Sequence, residues 1–117
     1  MTPEAYVIKY LDDSMPGVFV FGDVPEEERY RNFLTVELTG ADITNQVSGA
    51  TLAIDSWAPT RAEAMQLSVD VKTAMFNMLE EPEISTVELL TEYNNPRLST
   101  RHPRYRTMWR IVYVLID

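Results

Sequence analysis

Hydrophobic positions along the chain recur at two different spacings, and the switches between them mark the elements. Near the start, Val7, Ile8 and Leu11 fall on one helical face, with Tyr6 and Tyr10 beside it. Thr2 is the cap, Pro3 takes the favoured first helical position, and Glu4 suits the positive end of the helix dipole. This helix is predicted to run to about Leu11, with Asp12, Asp13 and Ser14 ending it and Met15-Pro16-Gly17 forming a turn. Val18 to Phe21 reads as a short apolar strand, and Gly22 to Glu28 as an acidic loop closed by Arg29. From Phe33 the period becomes two. Leu34, Val36 and Leu38 face one way, and Phe33, Thr35 and Glu37 the other, so one face is wet or contacted. Thr39 to Gly49 is polar and bracketed by Gly40 and Gly49, which predicts a hairpin loop or a longer ribbon. Its eleven residues exceed the roughly two to five usual for a hairpin, and loops of excess length tend to carry function.

Ala50 to Trp57 returns as the partner strand, and Pro59 cuts it because proline has no N–H for a ladder. Thr60 and Glu63 then form a capping box: the threonine accepts from the Glu63 N–H and the glutamate reaches back to the Thr60 N–H. The second helix is predicted over Arg61 to about Leu79. Its polar positions Glu63, Gln66, Asp70, Thr73, Asn77 and Glu80 recur at steps of three and four, a single narrow stripe. The apolar arc left over is wider than the roughly 100° that packing on one sheet requires. Either the first helix covers its second flank, or a neighbouring subunit does.

Glu81 before Pro82 ends this helix. Ile84 to Tyr93 is predicted as a strand with Val87, Leu89 and Tyr93 facing one way. Asn94-Asn95-Pro96 is a turn, and Arg97 to Pro103 a basic connection. Arg104 to Ile116 alternates as the last and longest strand, apolar on both faces after Arg110. That half should be central, and the arginine-rich half should lie at an edge or interface. The order is α-β-β-β-α-β-β. A mixed, mostly antiparallel sheet with two main helices on one face follows, an α+β fold in a single domain over residues 1–117.

Composition narrows the chemistry. The 45% apolar content supplies a core, and the chain has no cysteine, so disulfides and thiolate metal sites are excluded. The N-terminal residues lack the pattern of a signal peptide, and no apolar stretch approaches the about 20 residues of a membrane span. The formal charge of −8 is unevenly placed: residues 1–58 hold ten acids and three bases, residues 94–117 five arginines and one acid. An acidic body with a basic C-terminal segment suggests a complementary self-contact or a polar partner. The alternative is that these arginines are simply solvated. Non-specific nucleic-acid binding is disfavoured, since it needs a basic surface to displace counterions.

No catalytic set emerges. His102 is the only histidine, placed between Arg101 and Pro103 in a surface loop, too isolated for a triad or a histidine-rich metal site. The carboxylates Glu26, Glu27 and Glu28, and Glu80, Glu81 and Glu83, fall at turns and helix ends, where solvation leaves nothing to separate their pKa values. Glycines are scattered, with no phosphate-cradling loop, and no cofactor is expected. Aromatic and basic residues interleave at Arg104-Tyr105-Arg106, either as a stacking platform for single strands or as ordinary β-formers packing a face.

Three segments carry a resemblance: Phe33-Leu34-Thr35-Val36-Glu37-Leu38-Thr39-Gly40, then Trp57-Ala58-Pro59-Thr60-Arg61-Ala62-Glu63-Ala64, then Pro103-Arg104-Tyr105-Arg106 opening a hydrophobic strand. Together with the Met15-Pro16-Gly17-Val18 turn and the Val24-Pro25 step, they resemble the tail terminator (tail completion, head-tail joining) proteins of long-tailed bacteriophages. The resemblance implies a non-enzymatic virion protein, made in the host cytoplasm, that forms a homohexameric ring on the tail tube. Such a ring ends tube polymerisation and meets the head connector or stopper, and DNA passes its lumen without specific binding. Charge and loop length single out Arg97, Arg101, Arg104, Arg106, Asp42, Asn45, Gln46, Glu26, Glu27 and Glu28 as subunit or tube interface residues. The alternatives are another neck component, an adaptor or stopper, and a small non-enzymatic binding module with a groove between sheet and helix.

Overall fold

A computed structural model describes residues 1–25, 31–44, 47–98 and 102–114. The first helix, α1 (Pro3–Ser14), begins where the Thr2 hydroxyl accepts from the Ala5 N–H at 3.1 Å. The strand β1 (Phe19–Phe21) follows, then β2 (Phe33–Thr44), β3 (Val47–Trp57), α2 (Arg61–Asn77), β4 (Ile84–Asn94) and β5 (Arg104–Tyr113). The sheet order is β1-β2-β3-β5-β4. Only the β1–β2 pair is parallel; the other neighbours are antiparallel, and both helices pack on one face. This is the expected α+β arrangement.

The core lies between that face and the helices. Leu34 and Val36 of β2, Leu52 and Ile54 of β3, and Trp109 and Ile111 of β5 meet Val7 and Leu11 of α1 and Leu67, Val71 and Met75 of α2, all buried. Each such side chain contributes about 1.5–3 kcal/mol relative to leaving it in water. The Tyr10 hydroxyl donates to the Ala74 carbonyl at 2.8 Å and ties the two helices.

Some details differ from the expectations, and the open choice for Thr39–Gly49 resolves to the longer ribbon. Helix two ends at Asn77 and tightens into a 3₁₀ turn over Met78–Glu80, a common way to close the last turn. The polar Thr39–Gly49 stretch is a ribbon: β2 and β3 stay paired out to Thr44 and Val47, with a register shift between Leu38 and Gly40. At the helix start, Thr60 Oγ1 accepts from the Glu63 N–H at 3.2 Å and donates to Glu63 Oε2 at 3.1 Å. Arg31 takes the other carboxylate oxygen at 2.9 Å, so the glutamate pairs with side chains rather than the Thr60 N–H. Arg31 and Thr60 together hold the Glu63 carboxyl below the usual carboxylate range.

In β4, Val87 and Leu89 face the core opposite Ile111 and Trp109, but Tyr93 pairs with Arg106 on the other face. A bulge between Leu89 and Thr91 inserts Leu90 and reverses the alternation. Finally, β5 lies between β3 and β4 along its described length, so its arginine-rich half is not at a sheet edge. Arg104 sits opposite Trp57 and Arg106 opposite Asp55, and those contacts hold the strand inside the sheet. Ile116 lies outside the described residues.

Candidate interaction surface

The sheet face away from the helices carries most of the residues that charge and pattern single out. Its alternate positions are Phe33, Thr35 and Glu37 on β2, Ala53, Asp55 and Trp57 on β3, and Arg104, Arg106 and Met108 on β5. Among the described residues no helix covers this face, yet Trp57 is 0% exposed. Phe33 stacks on it at 5.3 Å with an 11° interplanar angle, and His102 meets it edge-on at 5.3 Å. The Arg104 and Arg97 guanidiniums lie 4.8 and 5.9 Å from its ring centroid, within cation–π range. Its indole N–H donates to Thr35 Oγ1 at 3.0 Å.

The connection from β4 to β5 builds this cover. The Asn95 N–H donates to the Arg104 carbonyl at 2.8 Å, the Arg97 N–H to the His102 carbonyl at 3.0 Å, and Arg104 Nε to the Asn95 carbonyl at 2.6 Å. His102 is therefore a half-buried part of an aromatic cluster, not the plain surface-loop histidine that its polar neighbours predict. Trp57, enclosed in this way, offers no ring face to a nucleic-acid base.

Next to the cluster runs a line of charge. Arg106 grips Asp55 with both forks, Nε at 2.8 Å and Nη2 at 2.9 Å. Arg104 lies 3.9 Å from the same carboxylate, and Glu37 is 4.0 Å from Arg106. The Asp55 hydrogen bonds raise the Arg106 pKa further, against the lowering effect of burial. Towards the ribbon, Arg110 of β5 reaches Asp42 of β2 at 3.2 Å, crossing β3 over Gly49. A Cβ at position 49 would stand 2.6 Å from Arg110 Nη2 and 2.7 Å from Asp42 Oδ1, so the glycine leaves room for the bridge.

Of the sequence-predicted interface residues, Arg104 and Arg106 come together on Asp55, and Arg97 joins Arg104 over Trp57. Asp42 stands apart, paired with Arg110. Glu26, Glu27, Glu28, Asn45, Gln46 and Arg101 lie outside the described residues. Sequence reasoning missed Asp55 and Arg110. The available signal was a carboxylate in the mostly apolar strand Leu52–Trp57, since a buried charge requires a partner. It also left open what covers the second flank of α2. Helix one covers the Ala74 side, but Met65, Val69, Phe76 and nearby Leu79 remain 45–48% exposed.

Elsewhere, a cleft of about 590 Å³ opens between the C-terminal end of α1 and α2, lined by Tyr10, Met15, Val18, Asp70, Thr73 and Asn77. Among the described residues, no three of His, Asp and Glu converge as metal ligands, and no helix is long and apolar enough to cross a membrane.

No protein-family model matches the sequence, and no curated protein matches it. Among solved structures, the chain is similar to one in the virion of a native gene transfer agent (GTA) particle. The TM-score is 0.58 over 95% of this chain and 86% of that chain, at 14% sequence identity. The likeness establishes a shared fold across nearly the full length.

Proposed function

We propose that this chain is a structural virion protein that works through its surfaces and not through a reaction. The observation that carries the reading is the fold likeness to a virion-particle chain over 95% of the sequence. Within that class, the resemblance to tail terminators points to a homohexameric ring at the head-proximal end of a phage tail tube. There it ends tube polymerisation and presents a surface to the head connector or stopper, while DNA passes through the lumen.

Several features support a role in assembly. The ribbon tip presents the apolar side chains of Ile43 at 75% and Val47 at 49% exposure. The acidic body and the basic C-terminal segment suit a heterologous contact that closes into a ring. Of the described arginines singled out from the sequence, Arg97 is the best candidate contact: it is exposed and pairs with no carboxylate among the described residues. Arg104 and Arg106 are engaged by Asp55, so reversing them would strike the fold before it struck an interface.

Tube assembly is the test. Tail-tube protein from the same particle should form shorter tubes in the presence of this chain, with a ring at one end in negative-stain micrographs. Unchanged tube lengths with bare ends would overturn the terminator role.

A further inference from the structure

Two buried tryptophans carry the same polar handle in different settings. The Trp57 indole N–H donates to Thr35 Oγ1 at 3.0 Å, and the Trp109 indole N–H to Thr107 Oγ1 at 2.7 Å. Both side chains are 0% exposed. Trp109 lies in the core with Leu67, Val71 and Met75 of α2, all themselves buried. Wetting it requires undocking that helix from the sheet.

The cover of Trp57 is of another kind. It has two described limbs, residues 95–98 and 102–103, and neither contains a buried side chain. Asn95, His102 and Pro103 are half-buried, Pro96 and Arg97 are exposed, and Leu98 is 86% exposed. The limbs bond to each other and to the strand end beside them. The Arg97 N–H donates to the His102 carbonyl at 3.0 Å. Asn95 donates its N–H to the Arg104 carbonyl at 2.8 Å and accepts from Arg104 Nε at 2.6 Å. Among the described residues, the limbs make one backbone hydrogen bond towards β3, from the Ala58 N–H to the Pro103 carbonyl. At 3.5 Å it is longer than an ordinary N–H···O bond. Beyond that base, ring contacts hold the limbs down. The Arg97 guanidinium lies 5.9 Å from the Trp57 centroid, and the His102 ring meets Trp57 at 5.3 Å and Phe33 at 6.3 Å. A segment that buries no side chain of its own thus seals an indole completely. Few buried apolar contacts mark the parts of a fold that open most readily.

We infer that this cover is a strap, hinged where β4 ends and β5 begins, which lifts as a unit while the five strands and both helices stay folded. Arg104 keeps its register opposite Trp57, so the lift breaks the Arg97–His102 bond and the ring contacts, and bares the edge of the indole that they close. The outer face of the sheet then has two states. In one the ring is sealed; in the other an aromatic edge is presented beside the Asp55–Arg106 pair. The helix-covered face has a single state. The strap belongs to the single chain, whether or not copies assemble.

Hydrogen exchange of the two indole N–H groups, followed by NMR on the full chain, tests this. Donor and acceptor chemistry are the same in both, so their ratio reports the opening. The Trp57 proton and the Arg97 amide should exchange about a hundredfold or more faster than the Trp109 proton. Their rates should barely respond to low denaturant, because a strap exposes little surface, while Trp109 follows the steep dependence of global unfolding. His102→Ala removes a ring contact and neither threonine bond. It should speed the Trp57 and Arg97 protons further relative to Trp109, which reports any loss of global stability in the same sample. Equal rates and equal denaturant slopes for the two indoles would overturn the strap and make the cover part of the cooperative core. A fast Trp57 proton beside a slow Arg97 amide, or one indifferent to His102→Ala, would overturn it as well, by placing the opening elsewhere on the sheet.

Discussion

The two faces of the sheet are buried by different means. On one, Leu52, Ile54, Trp109 and Ile111 lie under two amphipathic helices and meet mostly apolar side chains. On the other, Trp57, Phe33 and Asp55 are at most 5% exposed, but arginines, a histidine and the β4–β5 connection do the covering. The first face is a conventional core, tolerant of apolar exchange provided volume is conserved. The second depends on specific pairs, in which one missing partner leaves a charge or a ring without its counterpart. Stability on the first face comes from two regular elements. On the second it comes from residues such as Asp55 and Arg106, brought together across about fifty positions of chain, with Arg97 left exposed beside them.

Replacing each tryptophan with alanine separates the two faces most strongly. Trp57→Ala and Trp109→Ala should each cost about 3–5 kcal/mol in denaturant unfolding. Only Trp57→Ala should also speed hydrogen exchange at the Asn95 and Arg97 amides, whose acceptors sit on the cover it anchors. Equal exchange in both variants would show that the connection holds without the indole.

Asp55→Ala is next, at about 2–4 kcal/mol, because it strands the half-buried Arg106 and removes a carboxylate from Arg104. An Asp55→Ala, Arg106→Met double variant should recover part of that loss. If the double variant were as unstable as the sum of two independent changes, the pair would not be the source of the effect.

Gly49→Ala should cost about 1 kcal/mol, since the new methyl displaces the Arg110–Asp42 bridge, which is half exposed and flexible at its ends. The cost should shrink in an Arg110→Ala background, a coupling that a thermodynamic cycle measures directly. The smallest effect lies at the rim of the helix-covered face. Burial, then the Glu83 and Glu81 carboxylates, push the Tyr6 hydroxyl up to about 12. The folded form therefore holds this proton more tightly than the unfolded chain. The contribution is complete below the ordinary value of 10 and is lost as pH rises from there towards 12. The stability difference between the native chain and Tyr6→Phe should change over that interval and stay flat below it.

The helix-covered face was legible in the sequence because it obeys periodicity. Leu34, Val36 and Leu38 alternate as a strand must, and Thr60 with Glu63 announces the second helix. The element order and the α+β class followed from those signals. The opposite face was legible in composition and not in arrangement. Arginines at alternate positions of β5 read as an exposed or edge face, because nothing local reveals that Asp55, about fifty residues earlier, lies in register with Arg106. His102 looked exposed for the same reason: its partners Trp57 and Phe33 arrive from other strands. The Leu90 bulge, which turns Tyr93 to the arginine side, has no glycine or proline to mark it. The width of the apolar arc on α2 was visible from residue spacing, and the exposed Met65, Val69 and Phe76 give it a location.

Native mass spectrometry, run on the chain alone and with tail-tube protein, tests the account most directly. It predicts a species at six times the 13.5 kDa chain mass in at least one of the two conditions. A strict monomer in both would contradict it.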